Sequence, residues 1–143
     1  MPEPLPYPDV RPDEQIILYL LNRRWFNPRT GYISGQAFKP RTPKTQGMPF
    51  ATSVYRIDGC MPDEIWSIGD NFVTNRHRDK LPVLGTAGLR AQKVFAEDLQ
   101  VEPSSDDHAR HAEIVRWPEE REKRLAKETQ LAVEAQLVVR PIS

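Results

Sequence analysis

Fourteen prolines against seven glycines make this a chain of short elements joined by extended, stiff loops. Pro2, Pro4, Pro6, Pro8 and Pro12 fall within residues 1–14, an expected extended arm whose order depends on docking. Three more sit in KPRTPKTQGMPF (Lys39 to Phe50) and leave it little room for regular pairing. Pro62 and Pro118 stand where helices can begin, because the first helical position needs no N–H donor.

Between these breaks the apolar residues are clustered. IILYLL (Ile16 to Leu21) reads as a buried strand, although a run so short also fits one face of a helix. NPRTG is a turn, and YISGQAF after it a short, half-exposed strand. SVYRI (Ser53 to Ile57) alternates, with Val54 and Arg56 on one face and Tyr55 and Ile57 on the other. DGCMPDEIWSIGDNF predicts a turn and a short helix, in which Asp63 and Glu64 favour the N-terminal dipole and Ile65, Ile68 and Phe72 share a face. LPVLGT is expected as a strand, with Thr86 capping a helix over GLRAQKVFAEDL.

LQVEP then reads as a strand ending at Pro103, SSDDHAR as a polar connector and HAEIV (His111 to Val115) as a strand. Pro118 opens a predicted helix, PEEREKRLAKETQLAVEAQL, with i,i+4 pairs Glu119–Lys123 and Glu120–Arg124. Its first half is polar, projecting into solvent or against a partner before Leu125 and Leu131 dock. The fold class is α+β: a small mixed or antiparallel sheet of short strands with two or three helices, in a single domain. Its expected parts are the arm, residues 1–14; an α+β core, 15–117; and a C-terminal helix and tail, 118–143.

Charge is balanced overall, 20 basic against 20 acidic residues, yet locally segregated. From Gln15 to Ile57 there are seven Lys or Arg and no acid, so the rest of the chain carries the compensating −7. Such a split lets the halves fold against each other or offers two poles to a partner. The single Cys60 excludes an internal disulfide and fits a reducing cytosol, so a cytoplasmic location is expected. The six-residue apolar run is far below membrane-span length, and the acidic, proline-rich start has no signal-peptide pattern.

The basic zone carries the first candidate site. Arg23, Arg24, Arg29, Lys39, Arg41 and Lys44 could replace counterions on a phosphate backbone, with Trp25 and Tyr32 available for base stacking. Against this, Trp25 and Phe26 suit a core, with the arginines paired to acids of the MPDE and WPEERE segments. His108 and His111 are three apart behind Asp106 and Asp107, a metal-like spacing in a helix but not in a strand, so no metal is expected. His111 is expected to hydrogen-bond a loop carbonyl. His111 or His77 as general base, with Cys60 or a hydroxyl as nucleophile, is the enzymatic alternative. No catalytic residue is assigned. There is no Walker sequence, Gly85 and Gly88 make no dinucleotide fingerprint, and no cofactor is expected.

The order of an apolar strand with downstream Trp25, then ISGQAF, SVYRI, a PDE helix start, LPVLGTAGLRAQ, HARHAEIV and Trp117-Pro118 resembles a family of small bacterial proteins. That family accompanies other genes in mobile or defence-type clusters and has no established activity. The resemblance spans about residues 16–118, and Ser34, Phe38, Ser53 and His111 match its pattern without inheriting a role. The leading expectation is a non-enzymatic adaptor with a protein partner in a bacterial cytosolic assembly. An RNA or single-stranded DNA module using the basic-aromatic 22–44 segment is the second, and a membrane partner is not expected.

Overall fold

The computed structural model describes residues 9–43, 49–104 and 108–141. In chain order the strands are β1 (Gln15–Leu20), β2 (Phe26–Asn27), β3 (Tyr32–Ile33), β4 (Thr52–Arg56), β5 (Gly85–Arg90), β6 (Gln100–Pro103), β7 (His111–Val115) and β8 (Gln136–Val139). The helices are α1 (Pro62–Ile68), α2 (Ala91–Phe95) and α3 (Arg121–Glu134). Six strands form one antiparallel sheet in the order β6-β7-β4-β1-β5-β8, and β2 and β3 form a separate hairpin. The chain is thus a small α+β domain.

β1 lies inside the sheet and is buried on both faces, which is why IILYLL does not alternate. Ile16, Leu18 and Leu20 join Val54, Leu89, Ile114 and Leu131 in the larger core beneath α2 and α3. Ile17 and Tyr19 face the other way, with Tyr55, Ile68 and Val83 under α1. Each such Ile or Leu, fully buried, contributes about 1.5–3 kcal/mol. α1 starts at Pro62 as expected, with Asp63 and Glu64 in its first turn, and runs on into a π-helical segment, Gly69–Thr74.

The expected helix over GLRAQKVFAEDL is only partly formed: its first three residues, Gly88–Arg90, belong to β5, and Arg90 rather than Thr86 stands at the helix N-cap. Residues Gly85 to Arg90 pair along the whole of β1, and only Ala91–Phe95 is helical. The most apolar strand needs a partner on each side, and that demand outweighs the helix propensity of a six-residue stretch. YISGQAF is a strand only over Tyr32–Ile33. Ser34 Oγ then accepts from the Gln36 N–H at 3.2 Å and caps a 3-10 turn, Gly35–Phe38.

The last helix begins at Arg121 and ends at Glu134, and QLVV beyond it is the edge strand β8. Glu120 pairs with Lys123 at 3.4 Å, while Arg124 donates to the carbonyls of Pro118 and Glu119 rather than to Glu120. Leu131 is buried, but Leu125 stays 42% exposed. Val10 and Glu14 are buried too, so the chain enters the core before β1. Residues 1–8 of the arm, Lys44 and the Asp106–Asp107 pair lie outside the described residues. Among the described residues, no helix is long and apolar enough to cross a membrane.

Candidate functional site

Register places the polar side chains on the sheet's second face. Ser53 stands opposite Glu113 and Tyr55 opposite His111, so all four share the face that also carries Tyr19. A groove of about 750 Å³ opens over this floor. Phe72, Val73, Arg76 and His77 from the end of the π-helical segment form one side, and Trp25, Lys39 and Arg41 line it as well. A π-helical turn beside a groove is a common functional arrangement, because it re-aims the side chains that follow.

Arg41 is fixed from both ends. Its backbone N–H donates to the Ala51 carbonyl at 2.8 Å, its guanidinium donates to Ser53 Oγ at 2.9 Å, and it forms an ion pair with Glu113. The Arg41 charge therefore answers the Glu113 carboxylate directly. His111 Nδ1 lies 3.1 Å from the Ser104 carbonyl, which can only accept, so that nitrogen carries a proton and donates. This is the loop-carbonyl bond expected from the sequence. The ring also packs at 5.2 Å on Tyr55, which meets Tyr19 edge-on at 5.4 Å. The Tyr19 hydroxyl donates to the Ile65 carbonyl at 2.5 Å, and burial pushes its phenol well above the ordinary value. His77 Nδ1 accepts from the Asp79 N–H at 3.0 Å.

A second cavity, about 270 Å³, lies between the basic loop and α3. Trp25 and Lys39 line both cavities and so form their shared wall. Phe50, Arg121, Arg124 and Glu128 are among the other residues that line the smaller one, and the Arg124 guanidinium sits 4.1 Å over the Phe50 ring centroid. Glu128 is only 3% exposed. Burial raises its carboxyl above the usual range, against the pull of Lys39, Arg124 and Arg121.

Of the residues expected to touch nucleic acid, the structure gathers Trp25, Lys39 and Arg41 at the cavities. Arg23, Arg24, Arg29 and Tyr32 are exposed but line neither. Arg76, Arg121, Arg124 and Glu128 escaped the sequence reading. They lie in a hydrophilic turn and on a helix that reads as solvated, with no local pattern linking them to residue 39. Among the described residues no group of three or more His, Cys, Asp or Glu could hold a metal. His108 packs edge-on against Phe72 at 4.7 Å, while His111 sits on β7. Cys60 lines neither cavity, and burial pushes its thiol away from the reactive thiolate.

The chain matches no protein-family model, no curated protein and no solved structure at a significant level.

Proposed function

We propose that this protein is a single-stranded nucleic-acid-binding module whose track runs across the two adjoining cavities. One observation carries the reading. Lys39, Arg41, Arg76, Arg121 and Arg124, from three separate stretches of the chain, line the joined cavities against two carboxylates, Glu113 and Glu128. Aromatic rings accompany them: Tyr19, Trp25, Tyr55 and Phe72 in the groove, Phe50 in the smaller cavity. Cations follow a phosphate backbone, and flat rings accept unpaired bases whatever their identity. A protein surface with only one of these features would suit many partners; the two interleaved favour a single strand.

Anisotropy of labelled 12-mer RNA and DNA across a salt series tests this. The log affinity should fall linearly with log salt, and Lys39→Gln or Arg121→Gln should each lower the slope by about 0.7. Binding that ignores salt, or slopes unmoved by both variants, would remove the proposal.

The protein-partner reading retains one specific observation. β8 is an edge strand with Val138 50% and Val139 42% exposed, and Val133 on α3 is 71% exposed as well. The unpaired backbone groups along such an edge are a template for another strand. Light scattering of wild type and Val138→Lys decides it: a concentration-dependent mass abolished by the lysine supports an assembly role, and a constant monomer mass in both removes this argument for it.

A further inference from the structure

Buried carboxylates are ordinarily met by a cation or by hydrogen-bond donors, because an unpaired buried charge is costly. Glu128 departs from that rule in one way: the residue is only 3% exposed and its carboxylate has no hydrogen bond or ion pair with any described residue, yet its oxygens are not sealed off, because the side chain lines the smaller cavity. The carboxylate therefore offers acceptors to a ligand in a space that Trp25 and Phe50 also line. We propose that this cavity is a guanine-binding pocket, with Glu128 accepting from the base's N1–H and exocyclic N2–H. The assignment deepens the nucleic-acid reading and rests on it for the polymer context.

The choice among bases follows from donor geometry. Guanine alone carries two donors side by side on its Watson–Crick edge, matching the two oxygens of one carboxylate. Adenine and cytosine each set a single amino group beside a ring-nitrogen acceptor, and uracil flanks its single N–H with carbonyls, so each turns a lone pair toward the carboxylate. A guanidinium would offer the same fork, but it would bring a positive charge to a pocket already holding Lys39, Arg121 and Arg124. The neutral fork is favoured. The same cations are the type of group that reads guanine O6 and N7. Arg124 is held over the Phe50 ring while donating to the Pro118 carbonyl at 3.1 Å, an arrangement beside which a base can stack.

Calorimetry with GMP, IMP, AMP and CMP on the intact chain tests the pocket, since IMP differs from GMP only by the missing amino group. GMP should bind roughly tenfold or more tighter than IMP, and Glu128→Gln should erase that difference. The glutamine removes a buried charge, so its thermal melt should show an intact fold. Equal affinity for GMP and IMP, or an unchanged preference in Glu128→Gln, overturns the pocket assignment. The same comparison in 12-mers holding one guanine or one inosine separates the two ideas. Salt-dependent binding without guanine preference sinks the pocket and leaves the track, whereas GMP selectivity without 12-mer binding sinks the track alone. Binding of neither probe sinks both.

Discussion

At the scale of single residues, the core spends its polar groups unevenly. Glu14 and Arg56 are both 3% exposed in their side chains and are joined in fork geometry, at 2.5 Å from Nε and 3.0 Å from Nη2. Arg56 Nη1 finds no partner among the described residues, so the pair is an imperfect replacement for water. Breaking it leaves one charge stranded, and Glu14→Gln should cost about 3–5 kcal/mol. Replacing both by apolar residues should cost far less, and urea melts of the singles and the double check this as a mutant cycle. Glu128 works the other way. Its raised folded-state pKa means that the native protein holds a proton that the unfolded chain has already released. Stability should therefore fall as pH rises from the ordinary glutamate value through the raised one. Glu128→Gln should flatten that slope and raise the melting temperature at neutral pH, a gain expected where a residue serves binding rather than folding.

At the scale of elements, legibility tracked how local the deciding force was. β1, β4, β6, β7 and the start of α1 were readable because alternation, a continuous apolar run or a proline at the first helical position acts within a few residues. β5 was legible only at its start: Gly85 and Thr86 fall in the expected LPVLGT strand, whereas AGLR extends it only because β1 lies beside it. β8 was hidden for the same reason: QLVV after a helix reads as more helix until its pairing with β5 is known. Gly85 is the hinge of that pairing. A Cβ there would stand 2.6 Å from the Val138 carbonyl oxygen, which is backbone and cannot swing aside. Gly85→Ala should therefore push β8 from the sheet at a cost of roughly 1–3 kcal/mol. Hydrogen exchange should show the loss concentrated in Gln136–Val139, with β6 and β7 protected as before; a uniform loss would mean that β8 and the rest of the sheet open together.

At the scale of the whole molecule, the charge segregation seen in the sequence is resolved partly inside the fold. Arg41 meets Glu113 from the far end of the chain, and Arg56 meets Glu14, so two of the seven cations in the acid-free zone are answered by distant acids. Arg76, Arg121 and Arg124 come from outside that zone to the cavities, which is why the 22–44 segment alone gave an incomplete site. One further pair closes the molecule across 70 residues: Arg140, just past β8, donates both arms to Asp70 at 2.7 and 2.8 Å. It ties the edge strand to the π-helical segment that walls the groove. These hydrogen bonds hold the Asp70 carboxyl below its usual range, so the native state releases that proton more readily than the unfolded chain. The stabilisation is present above the ordinary aspartate pKa and is lost as pH falls through the depressed one. Because both side chains are partly exposed, the contribution is modest and screened by salt. Asp70→Asn should remove this acid-side slope while leaving the Glu128 slope at higher pH in place. Melting curves from pH 2 to 7 at low and high salt would separate the two carboxylates; an acid limb identical in Asp70→Asn and wild type would show that this bridge contributes nothing to holding the groove wall.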